Sequence, residues 1–366
     1  MNADPSGDRI TIFTPSNADE DNTNPQNLTV KEIVARLPAD QFQVTMICAR
    51  RPDPRLAVRS NTELVRWTEH GNAFRLLGRC FYPQPDVYFF PRCGPLDRAF
   101  FDLRRFLPMK TAVVSYIVMM MNQHTSAGMV GRSIAESDLV CANSSFVAAT
   151  VAEQWGVKSQ VVYDGVDRRF FFPAEQTLGW SKNPVVFYAG SFQPRKRVEL
   201  VIEQAARWPE VHFRLAGQGP NLDLCRKLCE AKNCRNVTFL GHLTQAQLGG
   251  EMRQAAIFLF PSVLEGHPQV LLQAAACGLP CLAMAVYCPD YVLNGTTGFL
   301  AESDGELEEK LDLLIRDSHL RHSMSKAAAA HSSKFDWDNI ARQWALIFKE
   351  AVARRKERSQ SCLQAS

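Results

Sequence analysis

Short apolar runs rich in β-branched and aromatic residues recur along this chain, and each is followed by a longer stretch with helical spacing. The runs cover residues 10–14, 42–48, 86–91, 111–118, 138–143 and 160–163 in the first half, and 185–189, 211–216, 237–240, 257–261 and 280–284 in the second. Strands that are apolar throughout and alternate with helices belong to parallel sheets covered on both faces. The pattern therefore predicts an α/β protein in which one architecture occurs twice. Periodicity lapses after Asp167, where the chain carries Pro173 and Gly179 and ends in Asn183-Pro184, a set of breakers that reads as a linker. The expected organisation is two Rossmann-like parallel-sheet domains, residues 1–170 and 184–338, joined at 171–183 and facing each other across a cleft. Open α/β sheets hold ligands at the carboxyl ends of their strands, so the cleft is the expected site. In the terminal segment 339–366, Ile340, Trp344, Ile347, Phe348 and Ala351 form one stripe, so a helix ending near residue 352 is expected to pack back on the N-terminal domain before a polar tail.

Composition removes several classes. The 41 basic and 38 acidic side chains are spread through both halves, which leaves no electrostatic footprint for nucleic acid. The longest apolar run, residues 111–121, is far short of the roughly 20 residues that cross a bilayer, and no signal segment opens the chain. The expected location is cytoplasmic, with weak peripheral attraction to an anionic inner membrane face left open by Arg354-Arg355-Lys356. Eleven scattered cysteines read as free thiols in a reducing compartment. Cys225 and Cys229 share a helical face, but no second pair closes a tetrahedral site, so no metal is expected.

Three segments carry candidate chemistry. The first is the loop Gly190-Ser191-Phe192-Gln193-Pro194-Arg195-Lys196-Arg197. A strand feeding a glycine turn and then three adjacent cations before a helix offers positive charge and backbone N–H groups to a diphosphate. A solvated basic helix start is the alternative, though cations at a helix N-terminus oppose its dipole. The second is Gly217-Gln218-Gly219-Pro220, which is either a tight structural turn or half of a dinucleotide fingerprint whose third glycine is replaced by Leu222. The third is Ser262-Val263-Leu264-Glu265-Gly266-His267-Pro268 running into a helix through Gln273. It places Glu265 in a loop at the carboxyl end of a buried strand, as a ligand of substrate or as a cap on the next helix.

These segments, in this order and with Asn236-Val237-Thr238-Phe239-Leu240-Gly241, Asn294-Gly295-Thr296-Thr297-Gly298 and Phe335-Asp336-Trp337, resemble the retaining glycosyltransferases of family 4. In the first half, Ala142-Asn143-Ser144-Ser145 and Asp164-Gly165-Val166-Asp167 are similar to the same family's elements. The resemblance implies the GT-B fold and a nucleoside-diphosphate sugar donor, UDP- or GDP-linked, with no further cofactor. Lys196, with Arg195, would then bind the diphosphate and Glu265 the donor sugar hydroxyls, these three forming the catalytic set. Gln273 would meet the ribose, the backbone near Leu240 and His242 would frame the base, and Gly190, Ser191, Arg197, Gly217, Gly266, His267 and Pro268 would complete the donor site. The acceptor would be a small molecule, a glycan or a lipid-linked sugar.

Three positions depart from the family pattern. Gln273 stands where a glutamate is usual, Ser191 where an arginine is usual, and the histidine expected after residues 111–118 is missing, with His124 downstream as a substitute. The Asn-rich loop 16–27 offers Asn22 and Asn24 either to acceptor hydroxyls or simply to solvent ahead of a helix over residues 28–37. Besides a transferase, the sequence leaves open a nucleotide-sugar-binding protein without transfer activity and, on Gly217-Gln218-Gly219 alone, a nicotinamide-dependent dehydrogenase. Phe100-Phe101 with Arg98, Arg104, Arg105 and Lys110 reads as a core-facing helix with a wet edge or as a basic amphipathic membrane face.

Overall fold

The computed structural model describes residues 9–22, 24–67, 73–91, 94–107, 109–118, 127–174 and 184–365. The chain divides into two compact units, Met1–Asp164 with Trp337–Ser366, and Gly165–Asp336. The division after Asp164 comes earlier than the sequence pattern places it, because Val166 pairs with Asp336 and its N–H donates to the Phe335 carbonyl. Most of the expected linker, residues 175–183, lies outside the described residues.

The first unit carries β1 (Ile10–Asn17), β2 (Phe42–Cys48), β3 (Thr62–Arg66), β4 (Val87–Phe89), β5 (Ala112–Ile117), β6 (Leu139–Ala142) and β7 (Gln160–Val161). The second carries β8 (Val185–Ala189), β9 (His212–Ala216), β10 (Val237–Gly241), β11 (Ile257–Phe260), β12 (Cys281–Met284) and β13 (Gly298–Ala301). Between them run α1 (Pro25–Val34), α2 (Pro54–Ala57), α3 (Ala73–Phe81), α4 (Pro95–Arg104), α5 (Ala127–Ala135), α6 (Ser145–Trp155), α7 (Val198–Arg207), α8 (Leu222–Ala231), α9 (Gln245–Arg253), α10 (Gln269–Ala276), α11 (Asp304–Arg316), α12 (Ser318–Ser332) and α13 (Trp337–Ala365).

The strand orders are β3-β2-β1-β4-β5-β6-β7 and β10-β9-β8-β11-β12-β13, and the strand pairs are parallel. Each is a Rossmann-like sheet of the GT-B type. Each order reverses once, at β1/β4 and at β8/β11, which opens a crevice at the carboxyl end of those two strands. The continuous apolar runs do what the pattern requires: in β11 every residue is buried. Two edge strands escape the sequence reading. In β3, Thr-Glu-Leu-Val-Arg is only partly buried and has no continuous apolar run, whereas β13, Gly-Phe-Leu-Ala, is apolar and mostly buried but opens on a glycine, a residue that reads as a breaker in a strand pattern.

The terminal helix α13 belongs to the first unit. Trp344 is fully buried there, with ring centroids 4.9 Å from both Phe89 and Tyr116 and 5.7 Å from Phe348. The expected polar tail is instead helical through Ala365. Two cations three residues apart hold it: Arg355 donates to the Met109 carbonyl (2.8 Å) and Arg358 to the buried Asp138 (3.1 Å). Trp344→Ala removes the largest fully buried side chain among the described residues and should lower unfolding free energy by about 3–5 kcal/mol, read as a fall in the urea midpoint at unchanged slope.

Candidate donor site in the second unit

The crevice between β8 and β11 receives two of the three segments singled out above. After β8 the chain makes a short 3-10 turn, Pro194–Lys196, and enters α7 through Arg197 in the left-handed region, at φ 52°. This backbone reversal separates the three cations. Arg197 turns to Asp304 at the start of α11, while Arg195 and Lys196 reach the loop that follows β11. There Glu265 Oε1 accepts from Lys196 Nζ at 2.5 Å, Arg195 Nη1 at 2.8 Å and Ser262 Oγ at 2.5 Å. Arg195 Nη1 also donates to the Leu264 carbonyl at 2.7 Å, and Val263 N–H to the Arg195 carbonyl at 3.0 Å. The two loops are thus one unit. All three donors use Oε1, and Oε2 takes no hydrogen bond from the described residues.

Lys196 is 8% exposed and lies 4.8 Å above the Phe260 ring. Burial pulls its pKa down, and Glu265 opposes that pull. An ammonium in this position is held charged largely by its carboxylate, so any anion that replaced Glu265 would inherit a strong attraction. Glu265 does not cap the following helix. Pro268 occupies that position with no side-chain cap bond, and α10 ends as read from the sequence, with Gly278 at φ 77° after Cys277.

The glycines of the second segment have a packing explanation. Gly190 N–H donates to the Ala216 carbonyl (3.0 Å), Gly217 N–H to the Gly241 carbonyl (2.7 Å) and Phe192 N–H to the Gln218 carbonyl (2.9 Å). The loops after β8, β9 and β10 are zipped together. A Cβ on Gly217, at φ 137°, would fall 1.8 Å from the Gly190 carbonyl oxygen, and one on Gly219, at φ 155°, 2.5 Å from that of Phe192. These close approaches require glycine whatever is bound, which removes the reason to read them as half of a dinucleotide fingerprint.

The remaining expected residues are distributed around this centre. Gly266, His267 and Pro268 are buried in the loop between Glu265 and α10. Gln273 is half-buried one turn into α10, and its carboxamide makes no hydrogen bond with the described residues. Leu240 and the exposed His242 flank Gly241 at the end of β10. Ser191 contributes its carbonyl to the Tyr188 hydroxyl (3.3 Å) and brings no charge. Cys225 and Cys229 are buried in α8, with thiol pKa values raised by burial to about 12 and about 11.

In the first unit, Asn24 Oδ1 accepts from the N–H groups of Gln26 (3.0 Å) and Asn27 (3.4 Å), capping α1, and Asn22 Oδ1 accepts from Asn24 N–H (3.0 Å). Lys31, 1% exposed, donates to the carbonyls of Asp19 (2.8 Å) and Asn22 (3.3 Å). The side-chain oxygens of both asparagines therefore take part in holding the loop. His124 lies outside the described residues. Sequence reasoning gave no part to the Ser262 hydroxyl or the Phe260 ring. The Ser-x-x-Glu spacing carried the first signal, since it puts a hydroxyl and a carboxylate within reach in a turn. Nothing in the sequence marked the second.

Residues 173–331 match the family model of glycosyl transferases group 1. The match covers the loops of Arg195, Lys196 and Glu265. The chain is 30% identical over 240 residues to D-inositol 3-phosphate glycosyltransferase of Mycobacterium tuberculosis, covering 60% of this chain and 50% of that one. It spans about half to three fifths of the length of the curated relatives it matches. Solved structures match more completely. Sucrose-phosphate synthase of Thermosynechococcus elongatus superposes with a TM-score of 0.76 at 18% identity, over 94% of this chain and 100% of that one. Anabaena HepE, solved in complex with UDP and glucose, gives 0.75 at 18% identity over 93% and 100%. At these identities the likeness is one of fold.

His267 supplies a test of local burial. Its side chain is fully buried against Tyr291, ring centroids 3.6 Å apart, with Nε2 3.8 Å from Asp290 Oδ2. Burial outweighs that carboxylate and lowers the imidazole pKa from 6.5 to about 3. The folded chain therefore refuses a proton that the unfolded chain takes up below pH 6.5. Stability attributed to the neutral ring is full above that pH and is lost as pH falls toward 3. By pH 5 the loss should be about 2 kcal/mol. His267→Gln should flatten the fall in Tm between pH 7 and pH 5, measured by calorimetry.

Proposed function

We propose that this protein moves a glycosyl group from a nucleoside-diphosphate sugar, UDP- or GDP-linked, to a hydroxyl of a small-molecule, glycan or lipid-linked acceptor, with retention of configuration. One observation carries the reading: two cations and a carboxylate with one open oxygen meet at the β8/β11 crevice. Lys196 and Arg195 take the diphosphate, which displaces them from Glu265. Glu265 then accepts from donor sugar hydroxyls, through Oε2 first. Gln273 meets the ribose with its carboxamide, which accepts from one hydroxyl and donates to another group. As the bond from the sugar to the diphosphate breaks, negative charge grows on the leaving oxygen. The two cations stabilise it where charge develops, without a metal ion in the reaction. The group 1 match and the fold shared with UDP-bound neighbours support this reading.

A second reading, a nucleotide-sugar-binding protein with little turnover, draws on Ser191 and Gln273, neither of which carries charge where the family pattern has it.

A thermal-shift screen of UDP, GDP and their sugar conjugates, with NAD as control, tests both. One diphosphate should raise Tm, by about 2.7 kcal/mol of stabilisation at a hundredfold excess over Kd, and NAD should not. Lys196→Ala should abolish that shift and turnover. Glu265→Gln should keep or enlarge the nucleotide shift, because the cations lose their competitor, while turnover falls about 10²–10³-fold. Normal turnover by Lys196→Ala, or no shift with either nucleotide, overturns the assignment. A full shift with no release of sugar from any conjugate selects the second reading.

A further inference from the structure

The first unit carries a feature that donor chemistry does not use. At the amino ends of β4, β5 and β6, Tyr82 is 84% exposed and Phe106 83% exposed, with Leu103 and Leu107 partly exposed beside Phe106. Both aromatics stand where the chain approaches the sheet at this end, Tyr82 ahead of β4 and Phe106 between α4 and β5. The two segments are joined: Lys110 N–H donates to Gln84 Oε1 at 3.1 Å, and Thr111 Oγ1 to the Pro85 carbonyl at 2.7 Å. These two bonds bring the segments that carry the four exposed apolar side chains to the same end of the sheet. That arrangement costs free energy unless something covers them.

The same edge is basic. Arg104 donates to the Glu136 carbonyl (3.0 Å) and Arg105 to the Glu136 carboxylate (3.2 Å). Arg358 reaches Asp138 from the end of α13. With Arg132, Arg355 and Lys110, six cations stand against four carboxylates, Asp86, Asp102, Glu136 and Asp138. Asp138 is itself buried, so outwardly the excess is positive. Lys110 is exposed and forms no ion pair with the described residues. No helix among the described residues is long and apolar enough to cross a membrane, so contact with lipid would be at the surface.

We propose that this edge docks on an anionic lipid surface, Tyr82 and Phe106 entering the headgroup region while Arg105, Lys110 and Arg358 meet lipid phosphates. Exposed aromatic and aliphatic side chains beside cations suit that boundary, where one side is wet and charged and the other is apolar. The excess positive charge selects lipid over an uncharged apolar partner. The inference does not rest on the proposed glycosyl transfer, since every residue in it lies in the first unit.

The test is sedimentation of the full chain with vesicles of phosphatidylcholine, with and without about 30% phosphatidylglycerol. The chain should bind the anionic vesicles and not the neutral ones, and high salt should release it. Arg105→Glu with Lys110→Glu should weaken binding more than about tenfold, since each cation near such a surface contributes roughly fivefold. Tyr82→Ser with Phe106→Ser should weaken it about tenfold at unchanged Tm, because both rings are already in water in the free protein. Failure to bind, equal binding to neutral vesicles, or unaltered binding by either double variant overturns the proposal. So does a dimer in sedimentation velocity that Phe106→Ser dissociates, which would give this edge to a second copy of the chain.

Discussion

Glu265 Oε1 is the point on which the second unit's carboxyl-end loops converge. One oxygen receives an ammonium, a guanidinium and a hydroxyl, from two loops that the strand order brings side by side. A buried ion pair of this kind adds little net stability, since desolvation consumes most of the Coulombic gain. Its value is positional. The cluster fixes the loop after β8 to the loop after β11 while leaving one carboxylate oxygen open, and the carboxylate opposes the pull of burial on the Lys196 ammonium. The proposed exchange of this internal anion for a donor diphosphate would draw on that balance.

The surrounding backbone makes that arrangement rigid. Three glycine-bearing loops are hydrogen-bonded to one another, and two of the glycines stand where a Cβ would strike backbone. Backbone donors and acceptors spent on neighbouring loops cannot rearrange without losing several bonds at once. The side chains of Arg195 and Lys196 therefore stand on a fixed platform, and in the proposed reaction little of the donor's binding free energy would go to ordering the loop. The first unit uses a similar economy at its Asn-rich loop, where Lys31 is buried by the carbonyls it binds. There the polar atoms close on themselves.

Much of the fold was legible because its cause is local. Eleven of the strands fall on the runs read from the sequence, and central ones such as β11 are buried throughout, as a parallel sheet covered on both faces requires. Of the two that were missed, β3 carries Glu63 and Arg66 in a partly buried strand, and β13 opens on a glycine. The C-terminal helix was legible over its Trp344 stripe, but its extension through Ala365 was not. It depends on Asp138 and the Met109 carbonyl, more than two hundred residues earlier in the chain. Of the site, the residue types were readable: cations in a glycine loop and a carboxylate after a Pro-Ser turn.

The sequence by itself determined two parallel α/β sheets and the chemical groups offered at the ends of β8 and β11, because periodicity and loop composition are short-range properties. Tertiary structure decided which groups meet. The reversal of strand order at β8/β11 sets Lys196 and Arg195 against Glu265. A left-handed turn at Arg197 sends the third cation to Asp304. Two loop connections carry Tyr82 and Phe106 to one edge. Each of these is a juxtaposition across 24 to 107 residues of chain, and no local pattern encodes a distance that only folding closes.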